Sequence, residues 1–511
     1  MIKNGIALLI MVLMVFVFVG CNESPTTITE PLTTTEQSVI TDHTTTETPT
    51  TEVPTTVEDI SMSQANVDAY KEESITIQFH YYLSQSASAY LETMIEDFET
   101  MYPNVDIVAV RRSATDAVIV DFTQGIQGGV APELILTDQK YFSIYNHHFQ
   151  SLDYYMNSEA TLNGVNVGLP ESVLEMNMFS DHSGYDGPID GPISFPFTRM
   201  SELIFANRST LSANATALIS GNIYVTNHGF ISRTAGLTLD DLSVISSVID
   251  DRTTLTLSVT NIIFETLMGQ SNLSIYENGE LSIDQTLTNT LMSSLRNLSN
   301  EDILHLASHF GNISYTETPF LDESTLFAVA DAMSLRHMTS GATFDIDILP
   351  MINAGETGSV FYGSDFGINL NSSEAEKFYS WMFIRFMTDF ENGYLSFCQD
   401  QGYTPIYDSN TYITNQTYVD FIQIAQDYIS SEGNPGWTEE DSRWEKLYLS
   451  MIQLAYETNR QNIYVRLFPS AVNSIKVKNN VDIFIDYFDS VFYSSDSIES
   501  LTADLVEELE D

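Results

Sequence analysis

Apolar and polar residues alternate from Ser74 to Tyr82, with Ile75, Ile77 and Phe79 set against Thr76 and Gln78, and this period of two predicts a strand. A polar turn around Ser84–Ser88 follows. From Tyr90 to Met101 the period becomes that of a helix, with Leu91, Met94, Ile95 and Phe98 on one face. Pro103 ends it, and Val105–Val110 predicts a second strand. A strand–helix–strand unit of this size implies parallel pairing through a right-handed crossover. A second helix (Ala114–Gln127), the pair Gly128-Gly129 and a third strand (Glu133–Thr137) repeat the alternation, so this part of the body is α/β.

The pattern changes beyond Leu169-Pro170. Gly184–Phe197 is rich in turn formers and predicts a loop, and Met200–Ala206 an apolar strand. Helical periodicity covers Leu239–Ile249, Thr260–Met268, Leu287–Leu298 and Ser324–Met333. Asp345–Leu349 and Ser359–Leu370 read as strands, the second leading into a long helix, Ser373–Met387. Helices dominate from there to Glu510, and no fixed-period repeat is present.

Ahead of this body, Lys3 precedes an apolar run, Ile6–Val19, that is short for a membrane span and fits the hydrophobic region of a signal peptide. The junction Phe18-Val19-Gly20-Cys21 resembles the lipobox of bacterial lipoproteins, which implies a lipid on Cys21 and a mature chain that starts there. An ordinary signal peptide with an incidental cysteine, or an uncleaved anchor, are the alternatives. All three readings place the rest of the chain outside the cell. Residues 22–58 are mostly Thr, Glu, Pro, Ser and Val, too poor in apolar side chains to offset the entropy of ordering, and predict a disordered tether. As a flexible coil it would span roughly 35 Å.

The remaining length exceeds one simple core and predicts two lobes. With 19 basic residues against 70 acidic, the net charge of −51 argues against nucleic acid, anionic lipid and anionic ligands as partners. Cys398 is the only cysteine besides Cys21, so the body must be held by packing without an intrachain disulfide.

Four stretches, taken in order, resemble the extracellular solute-binding proteins of the sugar-binding type, the group that contains maltose-binding protein. They are Ile75–Val110, with its Phe-Glu-x-x-Tyr-Pro helix end; Gly128–Phe142 with Phe149–Met156; Pro196–Leu211; and Gly358–Ser409, with its Gly-Tyr-x-Pro turn. Glu133 stands where that family has Asp, and Ala206 where it has Tyr. The resemblance implies a two-lobed, type II periplasmic-binding-protein-like α/β fold with hinge strands and a helix-rich C-terminal part. The corresponding divisions are a signal peptide (1–20), a lipidated cysteine and tether (21–73), lobe 1 (74–197), lobe 2 (198–364), the return to lobe 1 (365–411) and a helical part mostly in lobe 2 (412–511). It also implies a monomer at the outer face of the membrane that delivers a small solute, foremost a sugar, to ABC permease subunits. A surface interaction lipoprotein that reuses the fold without transport is the alternative.

Ligands of open α/β sheets sit outside the carboxyl ends of the strands. That points to His80, Tyr81 and Tyr82 after the first strand and to Thr137, Asp138 and Gln139 after the third. Tyrosine faces pack on sugar rings, and an ionised carboxylate accepts two hydroxyl donors. Against this stand core packing for the tyrosines and loop capping for the Asp. By the resemblance, Arg336 lies where the family carries an aromatic ligand contact, and Tyr362 and Tyr403 lie at the return crossing and the Gly-Tyr-x-Pro turn. Trp437 offers a stacking platform or a core residue. Metal-ligand spacings, phosphate loops and nucleophile elbows are absent, so no catalytic residue, metal or cofactor is expected.

Overall fold

The computed structural model describes residues 68–510 except 140, 143–144, 157–160, 163–164, 167–191, 232–235, 259, 274–275, 278–279, 282, 312–314, 356–357, 390–391, 404, 407–415, 434–446, 453, 455–462 and 465–473. Residues Met1–Glu58 form a unit apart from Asp59–Asp511, and everything below concerns the second unit. Cys21, the expected signal peptide and the expected tether up to residue 67 lie outside the described residues; the last part of that tether is instead ordered, with Asp68–Tyr70 helical and Tyr70 packed on Phe378 at 5.5 Å between ring centroids.

The chain starts with β1 (Ile75–Tyr81), α1 (Gln85–Met101), β2 (Val105–Arg111), α2 (Thr115–Gly128) and β3 (Leu134–Asp138). A short β4 (Phe195–Pro196) leads to β5 (Glu202–Asn207), then α3 (Leu239–Val248), β6 (Thr253–Leu257), α4 (Asn261–Gln270), α5 (Gln285–Asn300), β7 (Leu304–Leu306), β8 (Thr325–Asp331), α6 (Leu335–Gly341) and β9 (Ile346–Leu349). The return runs through β10 (Ser364–Ile368) into α7 (Glu374–Met387) and α8 (Tyr394–Gln401), and α9 (Gln416–Ser430), α10 (Ser474–Tyr493) and α11 (Ile498–Glu510) follow.

Two five-stranded mixed sheets result, ordered β2-β1-β3-β10-β4 and β7-β6-β8-β5-β9. In the first, β1 pairs in parallel with β2 and β3, whereas β10 runs antiparallel to β3. In the second, β8 pairs in parallel with β6 and antiparallel to β5. Each sheet thus takes one antiparallel strand from a crossing between lobes. The first core packs Ile75, Ile77, Phe79 and Tyr81 against α1 and α7; the second packs both faces of the other sheet.

Local chemistry explains the element ends. Ser84 caps α1, its hydroxyl accepting from Ala87 N at 3.2 Å, so the helix begins at Gln85 rather than at the expected Tyr90 and absorbs the expected turn. Ser373 and Glu376 form a reciprocal capping box at α7. The expected helix Ser324–Met333 is instead strand β8, central in its sheet and buried over Thr325–Ala330. An apolar run of this length fits a buried strand and a buried helix equally well by periodicity, and here tertiary pairing decides. Strands β6 and β7 are further elements that the sequence pattern did not single out.

The chain crosses between the sheets from β4 to β5 and returns from β9 to β10, and these two crossings pack closely together. Met200 and Tyr362 form an antiparallel bridge, and Ser364 N donates to Thr198 Oγ1 at 2.8 Å. Arg199 Nη1 meets Asp365 Oδ1 at 2.6 Å with both side chains shielded from solvent, and Ser194 Oγ donates to Asp365 Oδ2 at 2.8 Å. Removing one member of such a pair strands a buried charge, at a cost of about 3–5 kcal/mol. Helix α9 joins both cores: Phe421 and Ile422 belong to the first, and Ile424, Ala425 and Tyr428 to the second. Its far end is fixed by Arg208, which pairs with Asp345 at 2.7 Å, donates to Tyr428 Oη at 3.1 Å and lies over the Phe230 ring.

Candidate functional site

Strand direction brings one edge of each sheet to the crossings. Asp138, the last residue of β3, pairs with Ser364, the first residue of β10. Asp331, the last residue of β8, pairs with Glu202, the first of β5. The carboxyl ends of the parallel strands in both lobes therefore face the same junction, where loops that follow strands are free to hold a ligand.

On the lobe 1 side, Tyr82 is exposed at the junction, while Tyr81 is a core residue that stacks on Phe79 with ring centroids 5.2 Å apart. The alternation of β1 puts Tyr81 in register with Ile75, Ile77 and Phe79, so it packs where Tyr82 does not. His80 points to the other face of the sheet. There Arg112 Nη2 lies 3.3 Å from its Nδ1, and Asp121 of α2 binds Arg112 through Nε. Burial, then the Arg112 charge, lower the His80 pKa against an opposing pull from Asp121. Thr137 is fully buried and its hydroxyl donates to Thr115 O at 3.0 Å, tying β3 to the start of α2. Asp138 and Gln139 are half-buried, and Gln139 N donates to Gly363 O at 3.3 Å, on the crossing. Tyr141 lies beside Asp138, with its hydroxyl donating to Asp116.

On the lobe 2 side, the sequence pattern missed the main feature. Glu202 is buried at the head of β5, next to Asp331 and to Tyr362 of the crossing. Tyr362 Oη donates to Asp331 Oδ2 at 3.5 Å, and Asp331 Oδ1 accepts from Ser334 N at 3.2 Å. Burial, reinforced by the Asp331 charge and opposed by the Tyr362 hydrogen bond, pushes Glu202 up to about 8. Burial raises Asp331 as well. The signal for Glu202 was present as a lone carboxyl opening an apolar run; Asp331 was hidden because its strand read as a helix.

Tyr403 is buried after α8, near Tyr82 and Asp331. Arg336 is exposed on α6 and donates through Nη2 to Asp400 O. Trp437 lies outside the described residues. The structure thus gathers Tyr82, Asp138, Gln139, Tyr362 and Tyr403 around the junction, adds Glu202 and Asp331, and sets Tyr81, Thr137 and His80 behind it. Among the described residues no group of three His, Cys, Asp or Glu side chains is placed to hold a metal.

No protein-family model matches the chain, and no curated protein does. Solved structures do. The chain is similar to an ABC substrate-binding protein of Listeria monocytogenes in complex with cycloalternan, at 15% identity and a TM-score of 0.55 over 86% of this chain and 98% of that one. It is similar to the sugar-binding protein MalE of Xanthomonas citri, at 12% identity and a TM-score of 0.60 over 85% and 97%. UgpB of Mycobacterium tuberculosis in complex with glycerophosphocholine gives 16% identity and a TM-score of 0.55 over 84% and 97%. At these identities the likeness is one of fold, and it spans nearly the whole of each of these chains. The protein has the two-lobed fold of periplasmic binding proteins.

Proposed function

We propose that this chain is a solute receptor: it holds a small hydroxyl-rich solute, a sugar, at the junction of its lobes and delivers it to an ABC-type importer. In this reading it works as a monomer on the outer face of the membrane, held there by a lipid on Cys21, and catalyses nothing. The observation that carries the reading is the chemistry gathered at the junction. Asp138 on one side and Glu202 with Asp331 on the other offer carboxyl oxygens from both lobes, and Tyr82, Tyr362 and Tyr403 offer ring faces with polar tips. Carboxylates accept from hydroxyls, and tyrosine suits the apolar face of a sugar ring. Of these, Asp138, half-buried rather than buried, is the one that disfavours an anion beside it. Proteins of similar fold that are titled for sugar or oligosaccharide ligands support the reading.

The test is a thermal-shift screen with neutral mono- and oligosaccharides, glycerophosphocholine and phosphorylated sugars. A solute at a hundredfold excess over its Kd adds about 2.7 kcal/mol to stability. Stabilisation by a neutral sugar is the expected result. A response confined to phosphorylated compounds would overturn the ligand class, and no response to any solute would favour a surface protein that keeps the fold without transport.

A further inference from the structure

We infer that Arg336, with the turn Ala332–Ser334, and the end of α8, Asp400–Tyr403, form an inter-lobe clasp that positions the loop after β1 for the solute. Residues of α8 pack in the lobe 1 core, whereas Ala332 and Leu335 pack in the lobe 2 core, so their contacts join the lobes. Arg336 donates to Asp400 O. That carbonyl is in the last turn of its helix and has no intrahelical donor, and the negative end of the helix favours a cation there. Gly402 turns the chain with φ 77°, and its α-carbon faces lobe 2 so closely that an added Cβ would lie 3.1 Å from Ala332 O and 3.4 Å from Met333 Cα.

The same turn reaches the recognition loop. Gln401 Oε1 accepts from Ser86 Oγ at 2.7 Å and from Ser84 Oγ at 3.4 Å, and Ser84 is the residue that caps α1. Tyr82, exposed at the junction, lies two residues before that cap. Next to it Tyr403 is buried. Burial raises its hydroxyl to about 12, and the nearby Cys398, Tyr82 and Asp331 add to the rise, which puts Tyr403 between the loop after β1 and the lobe 2 wall. One short turn therefore contacts the lobe 2 wall on one side and the loop that carries Tyr82 on the other. Arg336 and Gln401 act here as positioning residues and need not touch the solute.

The solute-affinity arm rests on the receptor reading above, while the lobe-distance arm does not. In the full chain with Cys21→Ser, spin labels are placed at Val130→Cys in lobe 1 and Tyr224→Cys in lobe 2, both highly exposed. Without solute, Arg336→Ala should broaden the distance distribution towards longer separations, and Arg336→Lys should restore it, since an ammonium also donates to a carbonyl. Gln401→Ala should leave the distances unchanged but weaken binding of whichever sugar emerges from the screen by about tenfold through faster dissociation. A distance distribution unchanged by Arg336→Ala overturns the clasp whatever the solute is. Wild-type dissociation in Gln401→Ala, with a sugar that binds the parent protein, overturns the link to the loop.

Discussion

A carboxyl group buried at the first residue of a strand must give up its charge or hold it at a cost, and Glu202 does the first. Its folded pKa of about 8 stands above the ordinary 4.5 because burial and Asp331 both penalise the anion. A raised pKa contributes stability that is complete below about pH 4.5 and is lost as the pH climbs through 8. Thermal midpoints of the wild type should therefore fall over that window, and those of Glu202→Gln should fall less steeply. Equal slopes would show that the burial of Glu202 is compensated elsewhere. Asp138 is the complementary case, a half-buried acceptor in the proposed site. Asp138→Ala leaves solute donors unpaired and should cost about 1–3 kcal/mol of binding, about five- to 150-fold in Kd by calorimetry, with little change in the solute-free midpoint. Single residues were only partly legible in the chain. The alternation through Ile75, Ile77 and Phe79 already assigns Tyr81 to the core, whereas the neighbours of Glu202 come from a strand more than a hundred residues away.

Elements were legible where an amphipathic face exists and illegible where both faces are buried. The period-two pattern of β1 and the helical stripe of α1 are written in the chain because one side of each meets solvent. β8 has no such contrast: Leu326–Ala330 is buried on both faces, and only its partners β6 and β5 make it a strand. The three-residue β7 is too short for any period to register. The expected strand Ser359–Leu370 is divided into Ser359–Val360 and β10, and Gly363 lies between the two pieces. An added Cβ at Gly363 would sit 1.9 Å from Thr198 O, on the other crossing. Gly363→Ala should therefore push the crossings apart and destabilise the fold by about 1–3 kcal/mol, which chemical denaturation would read directly. A variant as stable as the wild type would mean that the crossings move apart without cost.

At the scale of the whole molecule, the acidic balance and the N-terminal segment define a setting that the folded body alone does not. Cys21→Ala should release the protein from the membrane or leave the precursor uncleaved, as fractionation and mass analysis would show. A Cys21→Ala chain processed and retained like the wild type would remove the lipid anchor from the proposal. Stable retention requires more than one acyl chain, because a single chain binds only marginally. The other cysteine, Cys398, is buried and its thiol is pushed well above the ordinary range, so it stays protonated and inert.

Helix α9 contributes side chains to the cores of both lobes, and this bears on how the molecule comes apart. Phe421 and Ile422 cannot leave the first core as helix without disturbing Ile424, Ala425 and Tyr428 in the second, within two turns of the same helix. Two bodies joined only by extended strands can melt one after the other; two bodies that share a helix lose it together. Scanning calorimetry should accordingly give a single endotherm whose calorimetric and van't Hoff enthalpies agree. Two resolved endotherms would mean that α9 parts from one lobe before the other unfolds.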